Sequence, residues 1–85
     1  MKNKILLVDD DADFREVLST RLTNDGYDVI TAADGEEGLR AFQKHRPAVV
    51  LADIKMAGMD GIDLLKKIKE MDPEAEVIMI TGHGD

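Results

Sequence analysis

Four short apolar runs recur along the chain, each closed by polar residues and separated from the next by a segment of helical spacing. Ile5, Leu6, Leu7 and Val8 run without interruption into Asp9, Asp10 and Asp11, the pattern of a strand buried on both faces of a parallel sheet. From Asp13 onward, Phe14, Val17, Leu18 and Leu22 recur at helical spacing; Asp11 or Asp13 can cap the start, and Gly26 stands where a helix ends. Tyr27 to Thr31 is rich in β-formers and predicts a second strand. Asp34 and Glu37 then form a capping box ahead of Leu39, Ala41 and Phe42, and Lys44, His45 and Arg46 complement the helix C-terminus before Pro47.

Ala48 to Ala52 repeats the strand pattern and closes on Asp53. A loop with Gly58 and Gly61 leads to Ile62, Leu64, Leu65, Ile68 and Met71, a third helix that Asp72-Pro73 stops. Val77 to Ile80 is the fourth run, followed by Thr81, Gly82, His83, Gly84 and Asp85. Strands alternating with helices of this length predict an α/β protein with a parallel sheet and helices on both faces.

Composition narrows the class. An 85-residue chain has room for one domain, and a hydrophobic fraction of 44% with 34% charged residues suits a folded globular unit. The absence of cysteine excludes disulfides and thiolate metal sites, so site chemistry falls to oxygen and nitrogen. A net charge of -7 gives no electrostatic reason to approach nucleic acid or an anionic membrane. Four apolar residues after Lys4 are too few for a signal-peptide core or a spanning helix, so the expectation is a cytoplasmic protein.

The candidate chemistry lies at the strand ends. In an open parallel sheet, ligands bind beyond the carboxyl ends of the strands, where the strand order reverses. If the first and third strands are neighbours, Asp9, Asp10 and Asp53 converge there, with Thr81 at the end of the fourth strand. Carboxylates held that close repel one another, and a hard cation with oxygen ligands removes the penalty. Mg2+ fits, because it binds through few carboxylates and completes its shell with water and phosphate oxygens.

Leu7-Val8-Asp9-Asp10, Asp53-Ile54-Lys55-Met56 followed by Met59-Asp60-Gly61, and Ile80-Thr81-Gly82 together resemble a response-regulator receiver domain of two-component signalling, over the whole chain. The resemblance implies a flavodoxin-like doubly wound parallel sheet with Asp53 as phosphoacceptor. It implies that Asp10, Asp53 and the backbone carbonyl of Lys55 bind Mg2+ directly, and that Asp9 binds it mainly through water. It also implies that the Thr81 hydroxyl and the Gly82 N–H meet the phosphoryl oxygens, and that the donor is a phosphohistidine on a sensor histidine kinase or phosphotransfer protein. The closing Ile80-Thr81-Gly82-His83-Gly84-Asp85 is similar to the receivers of enhancer-binding transcription activators.

Two departures from the family stand out. Ala57 occupies a position where proline is common. The family also continues with a fourth helix, a fifth strand bearing a lysine that grips the phosphoryl group, and a fifth helix, whereas the last lysine here is Lys69. The expectation is therefore a truncated receiver over residues 1–85 whose fourth strand and first helix are left bare, favouring a homodimer or a domain-swapped oligomer. The alternative function is a fragment that folds and self-associates without signalling.

Competing readings are weaker. A Ca2+ loop through Asp9, Asp11 and Asp13 fails, because Phe14 stands where glycine is needed and Thr20 where glutamate is needed. A phosphohydrolase using Asp9 and Asp11 needs further acids, a lysine and a cap from a longer chain, so the expectation is not an enzyme. His45 and His83 are left outside the site, and Met56, Met59, Met71 and Met79 are assigned to core or loop packing.

Overall fold

The structure, a computed structural model, describes residues 3–80. Seven elements alternate: β1 (Lys4–Val8), α1 (Ala12–Asn24), β2 (Asp28–Ala32), α2 (Gly35–His45), β3 (Val49–Asp53), α3 (Gly61–Met71) and β4 (Glu76–Ile80). All three strand pairs are parallel, in the order β2-β1-β3-β4. That order opens the flavodoxin-like doubly wound series, so the expected fold is present through its fourth strand.

The sheet alternates its side chains between two faces. Leu6 and Val8 of β1, with Val50 and Ala52 of β3, meet Phe42 of α2 and Leu64 and Ile68 of α3 in one fully buried cluster. Met56 is buried in the same cluster, and Met59, Met71 and Met79 pack against it, as their assignment to packing requires. The pleat turns Ile5 and Leu7 the other way, toward the side where α1 packs on β1 and β2.

Coverage on that second face is thinner. No residue of α1 is fully buried; Phe14, Leu18 and Leu22, spaced at i, i+4 and i+8, are half-buried, while Val17 is 69% exposed. Val17 was expected on the apolar stripe, but the helix is rotated so that Arg15 and Ser19 flank the stripe instead. Ile78 of β4 is 50% exposed, whereas its neighbours Val77 and Met79 pack against the core. The bare edge expected over Val77 to Ile80 is thus concentrated at one side chain.

Each helix begins on an aspartate. Asp11 caps α1, Asp34 caps α2 and Asp60 caps α3, each accepting from backbone N–H groups of the first turn. The capping box on α2 is displaced by one residue: Glu37 accepts from the amide of Ala33 at 2.9 Å, not from Asp34 itself. At the end of α1, Tyr27 N–H donates to the Leu22 carbonyl across Gly26, whose φ of 99° lies in the left-handed region that glycine enters without steric cost. This turn uses Tyr27, so β2 begins at Asp28, one residue later than the sequence pattern suggested.

Candidate functional site

Asp9 follows β1 directly and is fully buried. Its amide donates to the Ala32 carbonyl at 3.1 Å, extending the β1–β2 ladder one residue past Val8. Its Oδ1 accepts from the Asp11 amide at 2.9 Å, and its main-chain carbonyl accepts from Arg15 Nη1 at 2.6 Å. A buried carboxylate is costly unless it is hydrogen-bonded, paired or bound to a cation; the Asp11 amide bonds that of Asp9, while the other two bonds hold its main chain. Asp10, the next residue, is exposed.

Asp53 closes β3 and is 9% exposed. The Lys55 amide lies 3.4 Å from its Oδ1, a long contact, while the Lys55 side chain is exposed. The loop after Asp53 returns to it: Gly61 N–H donates to the Ile54 carbonyl at 2.9 Å. A Cβ on Gly61 would overlap the Asp53 carbonyl oxygen and stand 2.9 Å from both the Asp53 carbonyl carbon and the Ile54 Cα. Only glycine lets α3 start that close to the end of β3.

Because β1 and β3 are neighbours, with Val8 opposite Ala52, the strand ends meet as the sequence required. Asp9, Asp10 and Asp53 each offer a carboxylate oxygen, and these atoms lie within 4.8 Å of one another. The set is made of hard oxygen donors and runs from a buried residue to an exposed one, which suits a small divalent cation reached from solvent. Asp11 is not part of this set; its carboxylate caps α1, accepting from the amides of Asp13 at 3.0 Å and Phe14 at 3.2 Å. Ile80 stands opposite Asp53 in the ladder. Thr81 and Gly82, the remaining expected contacts, lie outside the described residues, as does His83.

The comparison with protein families agrees with this geometry: residues 5–85 match the response regulator receiver domain. The chain belongs to that family. Among its relatives, the probable transcriptional regulator ycf27 of Guillardia theta is 45% identical over 84 residues, covering 99% of this chain and 33% of that protein. Sporulation initiation phosphotransferase F of Bacillus subtilis (strain 168) is 41% identical over 85 residues, covering all of this chain and 68% of that protein. A solved CheY-like receiver domain from Methanospirillum hungatei JF-1 superposes with a TM-score of 0.93 at 34% identity, over 100% of this chain and 68% of that one. Transcriptional regulators thus stand among the relatives of this receiver domain, and the chain spans about a third of the ycf27 protein's length. No helix among the described residues is long and apolar enough to cross a membrane.

Arg15 is the site residue that the sequence pattern did not single out. The sequence places it one helical turn beyond the Asp11 cap and six residues from Asp9, but its turn toward the half-buried side of α1 shows only in the packing.

Proposed function

We propose that this receiver domain acts as a cytoplasmic protein and takes a phosphoryl group onto Asp53 from a phosphohistidine of a sensor histidine kinase or phosphotransfer protein, with Mg2+ held by Asp9, Asp10, Asp53 and the Lys55 carbonyl. The observation that carries the reading is the convergence of three carboxylate oxygens within 4.8 Å beyond the carboxyl ends of β1 and β3. That is where a doubly wound sheet binds its ligands. Similarity to a sporulation phosphotransferase supports the same chemistry.

In the transfer, a carboxylate oxygen of Asp53 attacks phosphorus, the O–P bond forms, the P–N bond breaks, and the leaving imidazole nitrogen takes a proton from solvent in place of the phosphoryl group. The bound cation supplies neutralisation of charge on the phosphoryl oxygens. Asp53 suits the nucleophile's part because it is fixed by β3 yet keeps some exposure. On the family resemblance, Thr81 and Gly82 complete the contacts to the phosphoryl group. The module accepts a group and does not turn over a substrate.

Phosphoramidate, which presents a P–N bond without a partner protein, tests this reading. Intact-mass spectrometry should show a single phosphoryl adduct that needs Mg2+ and is released by hydroxylamine, as an acyl phosphate is. An adduct that forms equally without Mg2+, or that survives hydroxylamine, contradicts it.

A second reading concerns assembly. Among the described residues β4 has a strand neighbour on one side only, and Ile78 is half exposed on it. Unprotected apolar edges pair with one another. The proposal is a homodimer or domain-swapped oligomer formed at β4 or α1. Sedimentation should give a dimer that Ile78→Lys dissociates; a monomer at every concentration contradicts it.

A further inference from the structure

We infer that Arg15 is a positioning residue for the cation site, setting the orientation of Asp9 and Asp10 through the peptide group that joins them. This rests on the metal reading proposed above. The Arg15 guanidinium donates to the main-chain carbonyl of Asp9 at 2.6 Å, at the short, charge-assisted end of the hydrogen-bond range. That oxygen belongs to the peptide between the two aspartates. A peptide group is planar, so holding its oxygen restricts the tilt of the plane that carries both Cα atoms, and with it the Asp9 ψ and Asp10 φ that set where the two side chains leave the backbone.

Arg15 is itself anchored. Its main-chain N–H donates to the Asp11 carbonyl at 2.9 Å in the first turn of α1. Asp11 caps that turn with its carboxylate and donates its own amide to Asp9 Oδ1 at 2.9 Å. The result is a closed ring of hydrogen bonds from Asp9 through Asp11 and Arg15 back to Asp9. One arm of the ring holds the Asp9 carboxylate and the other holds its carbonyl.

Charge and position make opposite predictions for Arg15. A guanidinium bound to the main chain between Asp9 and Asp10 repels a nearby divalent cation, so if Arg15 acted by charge alone its removal would tighten cation binding. A residue that orients the ligands does the reverse, since losing an outer-shell partner typically weakens metal affinity about 10–100-fold. Because the charge effect offsets part of this, the expected loss is at the low end, about tenfold.

The experiment is calorimetric titration of the 85-residue chain with Mg2+ alone, at a temperature where circular dichroism shows every variant folded. Arg15→Met should bind about tenfold more weakly. Arg15→Gln is too short to reach the Asp9 carbonyl and should fall likewise, carrying the test if the methionine variant does not fold. Arg15→Lys keeps the charge and a donor and should recover part of the loss. A merely structural role would lower the unfolding midpoint and leave Mg2+ affinity unchanged. Unchanged or tighter Mg2+ binding by Arg15→Met and Arg15→Gln overturns the proposal. If the parent binds no Mg2+, or Asp10→Asn binds it equally well, the metal reading itself is wrong and the role of Arg15 falls with it.

Discussion

Replacing Gly61 by alanine drives a methyl group into the backbone beneath Asp53. The new carbon would overlap the Asp53 carbonyl oxygen and lie 2.9 Å from two further backbone carbons, against an ordinary contact of about 3.5–4.0 Å. No flexible side chain can give way, so either α3 or the end of β3 must move. Overpacking of this kind costs about 1–3 kcal/mol. Against it stands the helix propensity of alanine over glycine, at most about 1 kcal/mol and less at the first helical residue. The clash wins, and the net loss is about 1–2 kcal/mol. For a domain of this size that lowers the melting midpoint by roughly 10 °C. Urea titration and thermal melting followed by circular dichroism measure the loss, and Mg2+ titration reads the displacement of Asp53 as weaker binding. A Gly61→Ala variant as stable as the parent would refute the close approach of α3 to β3.

Two other substitutions probe the packing. Phe42→Ala empties the centre of the core cluster and should cost about 3–5 kcal/mol in urea titration, whereas Val17→Ala, on an exposed flank of α1, should change stability by less than about 0.5 kcal/mol. Equal effects would contradict the placement of the main core between the sheet and α2 with α3. Asp11→Ala removes the acceptor for two amides at the start of α1 and should lose about 1 kcal/mol, most of it restored by Asp11→Asn; no loss in thermal melting would show that the cap is not needed.

Much of this arrangement was legible in the order of residues. Uninterrupted apolar runs such as Ile5 to Val8 mark strands covered on both faces, and the aspartates that follow them can only converge if β1 and β3 are adjacent, which the parallel order provides. Strand limits were less legible, because a turn residue and a strand residue can share a type: Tyr27 favours strands, yet its amide is taken by the end of α1. The rotation of α1 was not legible either. Phe14, Val17, Leu18 and Leu22 fit one apolar face by spacing, and only the packing of the helix on β1 and β2 turns Val17 outward and Arg15 inward. The role of Arg15 is hidden for a related reason: its partner is a main-chain carbonyl, which a pattern of side-chain types does not reveal. Glycines carry the same limit, since Gly61 reads as loop punctuation until the backbone beside it is seen.

If Asp53 is the phosphoacceptor, intact-mass spectrometry after exposure to acetyl phosphate and Mg2+ distinguishes the chain from its Asp53→Ala variant. A single phosphoryl adduct on the parent that is absent from the variant is the predicted result; an adduct on both, or on neither while Mg2+ still binds, would contradict it.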